Sequence, residues 1–197
     1  MSLVTTDWVL ENLNSLKIID ASWHMPAQKR NPAEEYLNAH IPNSVFFDLD
    51  KNSEKDTDLP HMLPKQEAWE KIMSSLGINN NDDILIYDNS DLKSSCRCWF
   101  SLIYFGHDEK KIHILNGGLK KWIFENKPIT KDATEIIESN YVANEKENLV
   151  VSFDQIKKNI LSKSFNVIDA RSLERFEGKV SEPRKGLRSG HIQNSFC

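Results

Sequence analysis

Residues 3–21, LVTTDWVLENLNSLKIIDA, place a helix directly before a buried strand. The Thr/Asp pair ahead of apolar residues at helical spacing is a helix start signal, and KIIDA is an apolar run of strand length. The same two patterns alternate onward, with strands predicted at 44–50, 82–88 and 111–115 and helices at 65–77, 94–106 and 117–126. This alternation predicts an α/β domain with a mostly parallel central sheet flanked by helices.

The opening pattern returns about 150 residues later, which indicates a tandem duplication. VVSFDQIKKNILSKSFNVIDA at 150–170 resembles the first stretch, and HIPNS at 40–44 recurs as HIQNS at 191–195. Between the copies, the sequence is polar and charged with weak periodicity. We therefore predict a first domain at 1–126, a linker at 127–149 and the truncated start of a second domain at 150–197.

Composition narrows the class of protein. The net charge of −4 and the pI near 5.9 give no electrostatic basis for binding nucleic acid or an anionic membrane. The start of the chain lacks the apolar region of a secretory signal, and three cysteines do not make a disulfide framework. CRC at 96–98 has no further ligands spaced nearby, so no metal site is predicted. We predict a cytoplasmic protein.

The loop after the predicted strand DILIYD is the first candidate site. In doubly wound α/β domains, ligands bind beyond the carboxyl ends of the strands, often at a helix N-terminus. Here DNSDLKSS at 88–95 leads into a helix, whose amides favour an anion or a thiolate. Asp88 occupies the position where a nucleophile is expected. Because Asp is a poor sulfur carrier, the first copy is predicted to be non-catalytic as a thiol enzyme.

Several stretches in this order resemble one family. They are IIDASWHMP, EEYLNAHIPNSVFFDLD, LPHMLP, ILIYDNS, FGHDEKKIHILNGGLKKW and VIDARSLERFEGKVSEPRKGLRSGHI. The sequence is similar to the tandem-domain rhodanese-type sulfurtransferases that use 3-mercaptopyruvate or thiosulfate. The resemblance implies rhodanese-like domains without a cofactor, in which a cysteine takes up sulfane sulfur as a persulfide and passes it to a thiol or cyanide acceptor. The repeat projects that cysteine to about residue 238, so this chain alone is predicted to be inactive.

The resemblance also assigns roles to residues within the chain. Arg175 and Arg184 match basic residues that hold the carboxylate or sulfonate of the substrate, a task that suits the planar guanidinium. Ordinary surface arginines, or an ion pair with Glu174 or Glu182, are the alternative. His61, with Asp50 upstream, lies in a segment that faces the catalytic loop in the family, where the pair could move a proton. A histidine with a purely structural role is the alternative.

The remaining expectations concern the cysteines, the partners and a competing function. Cys96 and Cys98 are predicted to be buried and inert, since the family has small or apolar residues there. The partners implied are a small-molecule sulfur donor and an acceptor such as a small thiol or a thioredoxin-like protein.

The alternative function is a non-catalytic rhodanese-like binding or regulatory module, which Asp88 supports. A phosphatase of this fold would need a Cys-x5-Arg loop, and the sequence has none.

Overall fold

The chain divides into two units, Met1–Glu147 and Asn148–Cys197. The computed structural model describes residues 3–183 and 186–197. Within the described residues, no helix is long and apolar enough to cross a membrane.

A five-stranded parallel sheet forms the centre of the first unit. Its strands are β1 (Leu3–Val4), β2 (Lys17–Asp20), β3 (Ser44–Phe46), β4 (Ile84–Tyr87) and β5 (Ile112–Leu115). They lie in the order β1-β5-β4-β2-β3, and every neighbouring pair is parallel. All four residues of β4 are buried, as expected for a central strand covered on both faces. The predicted α/β class is confirmed. The sheet was expected to be mostly parallel, and all four of its strand pairs are parallel.

Helices connect the strands, and local sequence explains where they begin and end. They are α1 (Thr6–Asn12), α2 (Pro32–Asn38), α3 (Gln66–Ser75), α4 (Ser95–Tyr104) and α5 (Gly118–Phe124). The side chain of Thr5 accepts a hydrogen bond from the Trp8 amide and caps α1, which confirms the predicted start. Helix α2 was not predicted, although Asn31 caps it and Pro32 opens it.

Two apolar clusters pack against the opposite faces of the sheet. One includes Trp69, stacked on Phe105 with 4.7 Å between ring centroids, and the other includes Trp122. All three rings are fully buried. Burying a side chain of this size stabilises the fold by about 1.5–3 kcal/mol. The clusters hold the carboxyl ends of β2 and β4 rigidly, and the loops described below start from those ends.

The segment predicted as a linker differs from that expectation. Much of it lies against the first unit: Tyr141 and Ala143 are buried in the core, and Thr130 pairs with His40 through two backbone hydrogen bonds. The Ala143 amide also donates to Glu70. The segment is extended and pairs mostly through loop contacts, so its apolar residues follow neither the helix nor the strand period. That irregular spacing explains why the sequence pattern resembles a linker.

The second unit repeats the beginning of the first on a small scale. Its elements are α6 (Phe153–Ser162), β6 (Val167–Ile168), α7 (Leu173–Phe176) and β7 (Ser195–Phe196). The parallel pair β6/β7 places Val167 opposite Ser195, and β2/β3 places Ile18 opposite Ser44 in the corresponding register. Asn159 is the one described residue of this unit that is buried. The second unit therefore has matching local structure without a packed core of its own.

Candidate functional site

Asp88 stands at the carboxyl end of β4, where the nucleophile of a thiol enzyme is expected. The Ser90 amide donates to its Oδ1 at 3.0 Å, and the Ser95 amide, at the start of α4, donates to its Oδ2 at 2.8 Å. The Leu119 amide donates to its backbone carbonyl. A carboxylate at a helix N-terminus is stabilised by the amides and by the helix dipole. Two of the amides that were expected to favour a bound anion or a thiolate are therefore occupied by the side chain of Asp88 itself.

Glycine at position 118 makes this loop geometry possible. Gly118 has φ of +58°, and a Cβ atom there would lie 2.3 Å from the Asp88 carbonyl oxygen. Such a contact is far inside van der Waals distance, so any larger residue would push the backbone of Asp88. The glycine pair at 117–118 thus serves a close approach between α5 and the end of β4.

A second buried carboxyl lies beside this loop. Asp20 ends β2, pairs in register with Tyr87 on β4 and accepts a hydrogen bond from the Ser22 amide. Burial is the main cause that raises the pKa of Asp20 to about 6, and the negative charge of Asp88 acts in the same direction. Burial also raises the pKa of Tyr87 well above its ordinary value. These two groups are internal to the sheet, so they act on the stability of the first unit.

The two neighbouring cysteines have opposite environments. Cys98 is buried, and burial raises the pKa of its thiol, which agrees with the predicted inert role. Cys96 is exposed and lines a cavity of about 360 Å³ next to Asp88. The prediction that both are buried is therefore wrong for Cys96. The reason is helix geometry, because residues two apart on α4 face different sides and only one side packs on the sheet.

Asp50 and His61 come together as the sequence suggested. His61 Nε2 lies 2.8 Å from Asp50 Oδ1, with 67% of the Asp50 side chain and 23% of the His61 side chain exposed. A carboxylate on one ring nitrogen favours a proton on that nitrogen and leaves the other, Nδ1, as the atom that exchanges protons. The contact between Asp50 and His61 is observed, and its role in catalysis stays a prediction.

Trp23 and Arg97 contact this pair, and neither residue was predicted to do so from the sequence. Trp23 Nε1 donates to Asp50 Oδ2 at 3.0 Å, and the Trp23 ring meets the His61 ring edge-on at 4.8 Å between centroids. Arg97 donates from Nη2 to the His61 carbonyl. His61 itself has φ of 55°, a left-handed conformation that non-glycine residues adopt only when their surroundings impose it. The one signal in the sequence that could have indicated Trp23 is its position three residues after the end of β2, where ligands bind in α/β domains.

His40 and His191, which recur in both copies, make equivalent contacts in the two units. His40 bonds to the carbonyl of Tyr36, four residues before it, and stacks on that ring. His191 bonds to the carbonyl of Phe176, fifteen residues before it, and stacks in the same way. The longer separation shows that the second unit carries an insertion between its helix and this motif.

That insertion contributes to a charged network in the second unit. Arg175 pairs with Glu182, while Arg171 pairs with both Glu182 and Asp169. The hydrogen bonds from Arg171 are the main cause that lowers the pKa of Asp169 to about 2. Arg175 is therefore in the ion pair that the sequence analysis weighed as the alternative to substrate binding. Arg184, the second predicted substrate residue, lies outside the described residues.

No group of three or more His, Cys, Asp or Glu side chains in the described part of the chain is arranged to hold a metal ion. The second unit has an open groove of about 650 Å³ beside β6 and the network. Asp169, Arg171, Arg188 and His191 are among its lining residues. Arg171 in this wall is already paired with Asp169 and Glu182, and Arg175, one of the predicted substrate residues, is not among the lining residues.

Comparison with known proteins agrees with this geometry. The Rhodanese-like domain family matches residues 5–125. Thiosulfate/3-mercaptopyruvate sulfurtransferase 1, mitochondrial, of Arabidopsis thaliana is 41% identical over 218 residues, which cover 99% of this chain and 57% of that protein. The 3-mercaptopyruvate sulfurtransferase of Escherichia coli K12 is 38% identical over 98% of this chain and 69% of that protein.

A solved structure gives the same result. The crystal structure of SseA from Escherichia coli, described as a 3-mercaptopyruvate sulfotransferase with the rhodanese fold, has a TM-score of 0.88 and 35% identity. The match covers 99% of this chain and 73% of that one. This chain thus spans less than two thirds of the Arabidopsis relative and somewhat more of the bacterial ones. Fold, sequence and structural likeness agree, and the chain belongs to the rhodanese family.

Proposed function

We propose that this chain is the first domain, the connecting segment and the start of the second domain of a sulfurtransferase. In that enzyme, sulfane sulfur moves from 3-mercaptopyruvate or thiosulfate to a thiol or cyanide acceptor through a cysteine persulfide. The observation that carries the proposal is the Asp50–His61 pair, assembled at the carboxyl edge of the sheet in a chain that belongs to this family. The matching register of β6/β7 and β2/β3 supports a duplicated domain.

For 3-mercaptopyruvate, the proposed reaction has two balanced steps. A cysteine thiolate attacks the substrate sulfur, the carbon–sulfur bond breaks, and the electron pair leaves as the enolate of pyruvate, which takes up a proton. The cysteine then carries the sulfur as a persulfide. A thiolate acceptor attacks the outer sulfur, the sulfur–sulfur bond breaks, and the cysteine thiolate is restored.

The residues of this chain would serve the proton and the substrate anion. His61, oriented by Asp50, would move the proton that the enolate requires. Arg175 and Arg184 would hold the carboxylate, and Arg175 would first exchange part of its contact with Glu182 for the substrate. The nucleophile itself is proposed at about residue 238, by projection of Asp88 through the repeat. An acceptor of thioredoxin type and a cytoplasmic location are parts of the same proposal.

The structure also favours a second candidate, a non-catalytic binding or regulatory module. The amides of Ser90 and Ser95 already hold the Asp88 carboxylate, so the loop of the first unit has no room for a sulfur carrier at this position. This candidate predicts no cysteine at the equivalent position of the second domain. It also predicts no turnover of either sulfur donor.

Two experiments separate the candidates. The coding sequence should continue beyond residue 197 into a strand that ends in a Cys-Gly-x-Gly turn near residue ~238. The protein containing that turn should release pyruvate from 3-mercaptopyruvate in the presence of a thiol, while the 197-residue chain should release none. Sustained turnover by the 197-residue chain would contradict the placement of the nucleophile, and an Asp at the projected position would favour the binding module.

A further inference from the structure

Trp23 contacts both members of the Asp50–His61 pair. Its indole Nε1 donates to Asp50 Oδ2 at 3.0 Å, while Asp50 Oδ1 is 2.8 Å from His61 Nε2. The two rings meet at 82°, with 4.8 Å between centroids. Each oxygen of the carboxylate therefore has its own ring as a partner, and the two rings support each other.

The carboxylate needs such a partner because it is mostly exposed. With 67% of its side chain in solvent, Asp50 could rotate away and bond to water instead of to His61. A second hydrogen bond, to the other oxygen, fixes the plane of the carboxylate and so fixes the direction of Oδ1. A single bond between Asp50 and His61 would leave that rotation free.

Trp23 is itself held by rigid parts of the first unit. Its backbone amide donates to Ser94 Oγ at 3.1 Å, and Ser94 Oγ donates to the carbonyl of Ala21, directly after β2. The Trp23 side chain also packs against the main apolar cluster of the sheet. The indole is therefore an extension of the core that reaches the exposed carboxylate.

His61 is fixed from the backbone side as well. Arg97 on α4 donates to its carbonyl, which holds the residue in its left-handed conformation. With Nε2 facing Asp50 and one ring face confined by Trp23, Nδ1 is the ring atom left for proton exchange. The imidazole thus has a defined orientation before any substrate binds.

We propose that Trp23 is a positioning residue for sulfur transfer: it holds the Asp50 carboxylate in the plane that orients His61. This inference rests on the proposed function. It assigns Trp23 an action through Asp50 rather than a contact with the reacting atoms. A residue that acts through a partner loses its effect once the partner is disabled, and that property distinguishes positioning from general structural support.

The test is a double-mutant cycle in the longer protein that contains the catalytic cysteine. We expect Trp23→Phe, which keeps an aromatic ring but removes the N–H donor, to lower kcat about tenfold with KM nearly unchanged, since positioned proton transfer contributes about 10²–10⁴-fold. Asp50→Asn should lower kcat further, and Trp23→Phe should add less than about twofold in that background. Trp99→Phe is the matched control, because the Trp99 indole nitrogen is buried and has no hydrogen-bond partner among the described residues.

A second measurement uses the 197-residue chain and does not depend on activity. In its NMR spectrum, Asp50→Asn should shift the Trp23 indole N–H signal and leave the Trp99 signal in place. Because this arm alters an exposed side chain, it remains valid even if Trp23→Phe fails to fold. An unmoved Trp23 signal would overturn the proposed contact.

The outcomes of the cycle separate the two proposals. Suppose that the wild type is active and that Trp23→Phe lowers kcat by the same factor with and without Asp50, or by no more than Trp99→Phe does. That result overturns the positioning role and leaves the proposed function intact. A wild type without turnover overturns the proposed function, and the positioning role with it.

Discussion

The two units begin with the same sequence pattern but differ in how they are stabilised. Helix α1 and strands β2 and β3 of the first unit have counterparts in α6, β6 and β7, with corresponding strand register. In the first unit these elements cover two apolar clusters, whereas Asn159 is the one described residue of the second unit that is buried. The same elements therefore pair in the same way in both units, whereas among the described residues apolar side chains are buried only in the first.

The largest expected effect tests the difference in packing. Trp69→Ala removes a fully buried ring of the first unit and should lower its free energy of unfolding by about 3–5 kcal/mol. In the second unit, Phe153→Ala removes a ring that is 81% exposed and should change stability by less than about 0.5 kcal/mol.

Tryptophan fluorescence during denaturant unfolding provides the measurement. All five tryptophans lie in the first unit, at positions 8, 23, 69, 99 and 122, so this signal reports on that unit alone. This signal serves for Trp69→Ala, whereas Phe153→Ala needs a probe in the second unit, namely amide hydrogen exchange of helix α6 (Phe153–Ser162). A large increase of that exchange in Phe153→Ala would contradict the comparison.

The next effect concerns pH and the buried carboxyl of the first unit. The pKa of Asp20 is about 6 when folded and 3.8 in its ordinary state, so the folded protein binds this proton more tightly. Its contribution to stability is therefore complete below about pH 4 and is lost as pH rises through 6. The loss amounts to roughly 3 kcal/mol if the whole shift is realised.

Asp20→Asn should remove this pH dependence. The amide keeps an oxygen that can accept from the Ser22 amide, and it has no charge to bury. We expect the variant to be more stable than wild type at pH 8 and to approach it at pH 4, as followed by tryptophan fluorescence in urea. Parallel stability curves for the two proteins from pH 4 to 8 would argue against the raised pKa.

A glycine in each unit provides a smaller test. Gly118→Ala places a Cβ atom against the Asp88 carbonyl in addition to straining the backbone, and should cost roughly 1–3 kcal/mol. Gly190→Ala in the second unit meets no atom within 4 Å, so only the strain of its φ of +105° remains. Amide hydrogen exchange should therefore increase around residues 88–95 in Gly118→Ala. In Gly190→Ala it should increase only within the second unit. Equal exchange at 88–95 in wild type and Gly118→Ala would show that the loop tolerates the contact.

The smallest effect concerns the charged network of the second unit. The pKa of Asp169 is lowered to about 2 by Arg171, so the network stabilises this unit above about pH 4 and is lost as pH falls toward 2. Arg171→Met should abolish that loss, because the ordinary pKa of Asp169 would return. An NMR titration of Asp169 checks this directly, with Arg188→Met as the control. An unchanged titration in Arg171→Met would assign the low pKa to another cause.

Several features of the site could be predicted because they depend on neighbours in sequence. Asp88 follows an apolar strand and precedes a helix, so its position at the mouth of the sheet follows from alternation alone. The Asp50–His61 pair was predictable from the family resemblance, since both residues lie in stretches that match it. Arg175 and its partner Glu182 lie seven residues apart in a charged segment, so an ion pair was a natural alternative.

By itself, the sequence determined the α/β class, the repeat of the opening pattern and most of the strand–helix order, because these depend on short-range periodicity and capping. Strand β1, helix α2 and the strand register became visible only in the structure. Only the tertiary structure decided which residues meet across the fold. It joined Trp23 to Asp50 over 27 residues and Arg97 to His61 over 36, and it packed Tyr141 into the core of the first unit. It also exposed Cys96 while burying Cys98. The physical reason is that loop conformation and chain reversal set these contacts, and no local pattern of apolar residues encodes them.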